Sequence, residues 1–252
     1  MSGFAPVMLV PHYRHVAQFR EFLPALQSAG IPILVIDDGS TAAEVNELQE
    51  LAEAHSFELI TYPENRGKGA AVMSGFRHAL NAGYSHAVQI DADGQHNAAD
   101  VPTLIARARE CTGALICGEP EFGPEMPAAR RYGRKVTDFF VFLETWTFTL
   151  KDSMCGLRVY PLSQMVCLVD RHKPGDGMDF DIEVLVRAYW QGLPIEYVKT
   201  RVRYPETGRS HYRYLLDNTK ITAMHTRLLL GMIPRIPALV MRHFRRPKGQ
   251  SS

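Results

Sequence analysis

Residues 87–96 read Ala87-Val88-Gln89-Ile90-Asp91-Ala92-Asp93-Gly94-Gln95-His96, a short strand-like run that breaks into an acidic turn. In an extended or turning segment, residues two apart point the same way, so Asp91, Asp93 and Gln95 can converge on one point. Oxygen ligands of that kind suit Mg2+ or Mn2+, and a hard cation with few protein ligands keeps coordination positions for substrate phosphates. A plain acidic turn is the simplest alternative, and calcium-binding loops share the look. The Asp-x-Asp-x-Asp-Gly spacing with a later glutamate is absent, however. The position directly after an apolar strand favours a metal–diphosphate site.

The same strand-then-turn unit recurs outward from this stretch. Apolar runs at Val7–Val10, Ile33–Ile36, Phe57–Thr61, Ala87–Ile90 and Leu115–Cys117 alternate with helical patterns near 15–29, 42–55, 68–82 and 99–110. In the second of these helices Val45, Leu48, Leu51 and Ala52 recur at helical spacing, with Ser40 or Thr41 available as N-cap. Gly30 and Gly83 stand where helices should stop. Continuous apolar strands separated by helices predict an α/β fold, Rossmann-like, with a mostly parallel central sheet sandwiched by helices. Such sheets put their binding crevice at the carboxyl ends of the strands. After residue 118 the pattern changes. Pro120, Gly123, Pro124 and Pro127 mark a loop, and an aromatic-rich helix follows near 129–149. Ser153–Tyr160 and Ile195–Tyr204 read as strands, with a helix near 179–191 between them. Tyr214–Phe244 reads as a helical C-terminal extension interrupted by Pro234 and Pro237.

The 252 residues suffice for one large α/β domain, and the apolar and charged fractions of 46% and 22% are ordinary for a globular protein. The net charge of +1 hides an asymmetry. Residues 1–200 carry 17 basic and 25 acidic residues, whereas residues 201–252 carry 11 and 2. A basic end on an acidic body suits an anionic partner such as phosphates or a lipid surface. Cys111, Cys117, Cys155 and Cys167 lack metal-ligand spacing and read as reduced core thiols of a cytoplasmic protein. No signal peptide and no uncharged run of the roughly 18–20 residues that span a bilayer is expected.

Two further strand ends carry chemistry. Asp37-Asp38-Gly39-Ser40 offers carboxylates to a base or ribose and a glycine for close backbone approach. An acidic turn capping a helix is an equally common use of such residues. Asn65-Arg66-Gly67-Lys68-Gly69-Ala70-Ala71 leads from loop into helix, where free N–H groups with Arg66 and Lys68 can face phosphates. The Walker A spacing is absent, and a tight loop with a solvated lysine is the alternative.

Taken in order, Pro11-His12-Tyr13, Asp-Asp-Gly-Ser, Asn-x-Gly-Lys-Gly-Ala-Ala and Asp-Ala-Asp-Gly-Gln-His resemble the family-two (GT-A) inverting glycosyltransferases, in particular the polyprenyl-phosphate, dolichol-phosphate-mannose-synthase-like branch. Ser153-Met154-Cys155-Gly156-Leu157-Arg158 resembles that branch's Ser-Gly-Phe-Arg segment. Phe180–Leu185 with Arg187 resembles its acceptor-side helix, and Gly208-Arg209-Ser210-His211 its Gly-x-Ser-Lys. The resemblance covers about residues 5–215. It implies a GT-A domain over 1–213, with a nucleotide-binding half at 1–118 and an acceptor half at 119–213, followed by a basic extension at 214–252. By resemblance, Pro11, Tyr13, Asp37, Asp38, Lys68, Asp91, Ala92, Asp93, Arg203, Arg209 and His211 would bind a nucleoside-diphosphate sugar. Asp91, Asp93 and Gln95 would hold Mg2+ or Mn2+. Asp181 would be the catalytic carboxylate, with Asp179 the second candidate. An acidic helix start stabilised by the macrodipole is the plainer reading of both.

This sequence departs from the pattern at Arg14, where asparagine is usual, and at His211, where lysine is. Histidine is only partly charged near neutral pH, so Arg203 and Arg209 would share the diphosphate. The tail, with Asp217-Asn218 and Met224-His225-Thr226-Arg227, resembles stand-alone enzymes of aryl-polyene-type clusters. Its residues Leu215, Leu216, Ile221, Leu228, Leu229, Leu230, Met232 and Ile233, interleaved with Lys220, Arg227 and Arg235, suit an in-plane helix over 214–244 on the inner membrane. Packing on the domain or on a second subunit of a homo-oligomer suits them equally. The acceptor class implied is a lipid or lipid phosphate. A sugar nucleotidyltransferase would carry a glycine-rich basic loop after the first strand, where Pro11–His15 stands instead. A non-catalytic nucleotide-sugar or lipid-binding module is the other rival. Nucleic acid is not an expected partner, because the basic residues gather in an apolar-rich tail.

Overall fold

The computed structural model describes residues 3–123, 126, 128–202, 214–237 and 239. Strands β1 (Pro6–His12), β2 (Ile33–Asp38), β3 (Glu58–Tyr62), β4 (His86–Gln89), β5 (Leu115–Glu121), β6 (Arg158–Pro161) and β7 (Ile195–Arg201) form one sheet in the order β3-β2-β1-β4-β6-β5-β7. Helices α1 (Val16–Gln27), α2 (Ala42–His55), α3 (Lys68–Asn81), α4 (Val101–Glu110), α5 (Ala128–Thr145), α6 (Leu162–His172), α7 (Phe180–Trp190) and α8 (Tyr214–Met232) surround it.

The pleat explains the two layers. Along β1, Met8 and Val10 face one side and Val7 and Leu9 the other, and in β2 Ile33 and Val35 alternate with Leu34 and Ile36 in the same way. The first set packs on Phe19 and Leu23 of α1, Leu48 of α2 and Leu104 of α4. The second packs on Phe76 of α3, Met165 of α6 and Phe180 of α7. Strands apolar on both faces can be covered only by helices on both faces.

Several boundaries follow local chemistry. Thr41, not Ser40, caps α2, in a reciprocal capping box with Glu44. The Ser40 hydroxyl is bound to Asp37 instead. Gly30 and Gly83 close their helices with φ of +66° and +90°, values at which a Cβ would be strained.

Three sequence expectations are corrected. The Ser153–Tyr160 strand shrinks to Arg158–Pro161, because Asp152 accepts the N–H groups of Met154 and Cys155 and holds that stretch as a turn. This strand runs antiparallel to both β4 and β5, inserting one reversed strand into a parallel sheet. Helix α6 was not expected, and its Leu162, Met165, Leu168 and Val169 supply the helical spacing that reveals it. Of the four thiols, Cys117 and Cys155 are buried but Cys167 is exposed, so it is not a core residue.

The described tail divides its apolar residues. Met224, Leu228 and Met232 are buried, Met224 and Leu228 against Val141 of α5 and Ile182 and Val186 of α7. Leu230 and Ile233 are exposed, and Ile221 is half-buried. Among the described residues, no helix is long and apolar enough to cross a membrane.

Gly75 sets how closely α3 approaches the sheet, since a Cβ there would press into the buried side chains of Leu9 and Ile36. The expected cost of Gly75→Ala is about 1–3 kcal/mol of overpacking. It is offset by at most about 1 kcal/mol of helix propensity. Urea unfolding should therefore show a lower midpoint for the variant.

Candidate active site

The carboxyl ends of β1, β2 and β4 open into a cleft of about 770 Å³. Pro11, Tyr13, Asp38, Lys68, Asp91, Ala92, Asp93 and Gln95 line it, as the sequence reading placed them. Three other expected residues lie behind the wall: Asp37, Asp179 and Asp181 are buried and do not line the cleft. Arg203, Arg209 and His211 lie outside the described residues. The residue preceding them, Val202, forms an antiparallel bridge with His96 beside the acidic turn.

Asp37 and Asp38 serve different ends. Asp37 accepts from His12 Nδ1 at 2.8 Å and from the Ser40 N–H at 3.0 Å. Burial pushes its carboxyl up, but these hydrogen bonds outweigh burial and hold it below the usual carboxylate range. An ionised Asp37 fixes the proton of His12 on Nδ1. Asp38 accepts the N–H groups of Arg66 and Gly67 at 2.9 and 2.7 Å, pinning the loop before α3. Burial dominates there and raises its carboxyl. Arg14 adopts φ of +57° at the rim, its N–H held by the Ser40 hydroxyl at 2.9 Å.

The start of α3 is less open to anions than its sequence suggests. The N–H groups of Arg66 and Gly67 are spent on Asp38, and that of Ala70 donates to the Asp176 carbonyl at 3.1 Å. Gly67, at φ of +106°, lets the 175–177 loop come this close, and a Cβ would strike Asp176. Positive charge at this end of the cleft is carried instead by the side chains of Arg66 and Lys68.

Lys68 is the centre of the site. Its Nζ lies 2.7 and 2.9 Å from the two oxygens of Asp91 and 2.9 Å from Asp181 Oδ2. Gln89 Nε2 donates to the other Asp181 oxygen at 3.1 Å. Burial alone would depress Lys68, but the two carboxylates raise it, so it stays charged. Asp91, likewise opposed by burial, is held low chiefly by Lys68. Among the described residues Asp93 has no such cation: burial and then the Asp91 charge raise its carboxyl, and the Gln95 N–H is bonded to it at 3.0 Å. His96 Nε2 approaches Asp91 to 3.9 Å, and burial lowers its pKa.

Among the described residues, no group of three or more His, Cys, Asp and Glu is arranged to enclose a metal. Two crowded carboxylates, one of them destabilised as an anion, fit a divalent cation that completes its shell with water and phosphate oxygens.

The cleft also draws on residues the sequence reading did not assign to it. His12, Arg14 and His15 flank Tyr13 in sequence, and Asp176 and Gly177 come from the 173–179 loop. Asp217 and Lys220 come from α8, and Lys220 pairs with Asp176 at 2.7 Å.

Residues 9–164 match the model of the family described as glycosyl transferase family 2. The chain belongs to glycosyl transferase family 2. It is 26% identical over 245 residues to the UDP-N-acetylglucosamine–dolichyl-phosphate N-acetylglucosaminyltransferase of Methanococcus voltae, covering 90% of this chain and 96% of that protein. Its fold is shared with glucosyl-3-phosphoglycerate synthase from Mycobacterium tuberculosis, at a TM-score of 0.63 and 17% identity over 92% of this chain and 80% of that one. It is shared too with a mannosyltransferase from Pyrobaculum calidifontis in complex with GDP-Man and Mn2+, at a TM-score of 0.55 and 17% identity over 81% of this chain and 58% of that one. This family-2 glycosyltransferase thus has a GT-A-like sheet, and the family settles the choice against a nucleotidyltransferase or a binding module.

Replacing Lys68 with methionine leaves half-buried Asp91 and buried Asp181 without their cation, a loss of about 3 kcal/mol at neutral pH. Asp91, no longer held low by Lys68, is then left to the burial that raises its carboxyl, so the variant gains stability as pH falls through it. Thermal unfolding should show a deficit that is largest near neutrality and shrinks on acidification.

Proposed function

We infer that this family-2 enzyme transfers a sugar, with inversion, from a nucleoside diphosphate to a polyprenyl phosphate or other lipid-linked acceptor. The observation that carries this reading is the Asp91–Lys68–Asp181 bridge at the cleft wall, which puts a donor-side carboxylate and an acceptor-side carboxylate on one ammonium. The dolichyl-phosphate acceptor named for the Methanococcus voltae relative supports the acceptor class.

In this reading Pro11, Tyr13 and Asp38 bound the nucleoside pocket, and Asp37 acts indirectly, by fixing His12 and Ser40. Asp91 and Asp93, with Gln95 beside them, would hold Mg2+ or Mn2+, a choice supported by the Mn2+ bound with GDP-Man in the Pyrobaculum calidifontis enzyme. The cation would neutralise charge building on the departing diphosphate. Lys68, permanently charged, would add to that stabilisation from the cleft wall. Arg203, Arg209 and His211 remain our candidates for further diphosphate contacts.

Asp181 reaches the cleft through Lys68. With a hydroxyl acceptor, it would take the proton as Lys68 turns toward the phosphates. With a phosphate acceptor, already anionic, no base is needed and Asp181 would orient Lys68. Asp179 is the weaker candidate: it accepts the Gly177 N–H at 3.1 Å, and burial raises its carboxyl. Placement among the aryl-polyene-type enzymes rests on the tail's resemblance alone. In the tail motif His225 and Arg227 have structural partners, Glu144 and Glu183.

Calorimetry with UDP, GDP, CDP and dTDP, each with and without Mn2+, should give metal-dependent binding of one diphosphate. Asp93→Ala should abolish it while the unfolding midpoint changes little. Binding unaffected by Asp93→Ala would remove the acidic turn from the donor site. Once the donor is known, Asp181→Asn should lower kcat at least a hundredfold if it acts as base. Its donor affinity should be nearly unchanged.

A further inference from the structure

The segment carrying α5 leaves the cleft region after β5, and the chain returns to it at Ser153–Gly156, where a Cβ on Gly156 would touch Asp91 and Lys68. The inner side of α5 is buried through Thr137, Val141 and Glu144. Its outer side carries an apolar stripe between charged residues. Tyr132, Val136 and Phe139, spaced i, i+4 and i+7, form one stripe, with Tyr132 72% and Phe139 57% exposed. The half-buried Leu143 continues the same line. Beyond the helix end, Phe148 is 83% exposed and stacks on Phe142 with ring centroids 4.2 Å apart.

The turn that presents these rings is strained. Trp146 closes α5 with φ of +51°, where a bulky side chain is a genuine outlier, and the residue is 43% exposed. Such strain persists only where surrounding structure enforces it. Here it sets Trp146 and Phe148 at the surface beside the stripe. Arg131 and Lys135 flank the stripe and are exposed, without an ion pair among the described residues. The exposed carboxylate of the helix, Asp138, lies instead toward the Arg134–Asp152 pair.

We propose that the α5 face formed by Tyr132, Val136, Phe139, Trp146 and Phe148 docks on an anionic lipid surface, with Arg131 and Lys135 facing its headgroups. Exposed contiguous aromatic surface on a folded domain marks an interaction site. Aromatic rings beside cations match the amphipathic boundary of a bilayer. This goes beyond the acceptor reading and does not rest on it, since the surface stands whatever the acceptor is.

The test is flotation of the full chain with phosphatidylcholine vesicles and with phosphatidylcholine–phosphatidylglycerol vesicles, neither containing nucleotide sugar or polyprenyl phosphate. The chain should float with the anionic vesicles and not with the neutral ones. Phe139→Ser with Phe148→Ser should lower partitioning roughly tenfold or more. Arg131→Gln and Lys135→Gln, which leave the apolar stripe intact, should each lower it roughly fivefold, the equivalent of about 1 kcal/mol per basic residue near the surface. All these positions are exposed, so circular dichroism should be unchanged. Equal flotation of parent and variants, or no flotation of the parent, overturns the proposal. Parent dimers that become monomers in the Phe139→Ser, Phe148→Ser variant, by sedimentation velocity, overturn it too, by making the face a contact between copies.

Discussion

One half-buried ammonium between two carboxylates holds the cleft end of this enzyme together. Lys68 is the first residue of α3, Asp91 follows β4, and Asp181 lies in the first turn of α7, so three elements distant in sequence meet at one charge. A charge withdrawn from water is tolerated only when opposite charge and hydrogen bonds replace the solvent. The surroundings supply both: Gln89 binds the far oxygen of Asp181, and Arg158 donates to the Asp181 carbonyl at 2.7 Å. Close backbone approach makes the meeting possible, since Gly67, Gly69 and Gly156 each stand where a Cβ would collide with this assembly or the loop beside it.

The reversed strand β6 belongs to the same constraint. Arg158 begins it, is wholly buried, and donates a second hydrogen bond to the Ser153 carbonyl at 2.7 Å. The guanidinium thereby joins the start of α7 to the turn that packs against Asp91. A parallel strand here would need a crossover connection before it. Running antiparallel, β6 follows directly from the Ser153–Gly156 turn. The first half of the sheet holds Asp91, and this inserted strand brings the start of α7, with Asp181, to it.

How much of this was legible in the sequence varies with the physics that decides each feature. Strands apolar on both faces and helices with 3.6-residue spacing are local signals, so β1 to β5 and α1 to α4 stand close to where the sequence places them. The acidic turn was legible because it directly follows an apolar strand whose carboxyl end opens on the cleft. The Lys68 bridge was not, since 113 residues separate it from Asp181 and nothing local pairs them. For Asp37 the residue was visible but its use was not. Its pairing with His12 depends on the register of β1 and β2, which sets the two Cα atoms opposite one another. The cleft contribution of Asp217 and Lys220 likewise depends on how α8 docks, a tertiary event.

That docking also decides what the tail can offer a partner. His225 Nδ1 lies 2.7 Å from buried Glu144, and Arg227 reaches Glu183, which also binds Arg187. Glu183 is fully buried, so two guanidinium groups offset its desolvation, one from α7 itself and one from α8. Taking α8 away would leave Glu144 without its partner and Glu183 with half its compensation, a cost added to the exposure of Met224 and Leu228. The apolar residues of α8 that point inward are therefore committed to the fold and unavailable to a bilayer. A lipid surface must meet apolar side chains the fold has left outside. In the described chain the largest such set lies on α5, on the segment that leaves the cleft and returns to it.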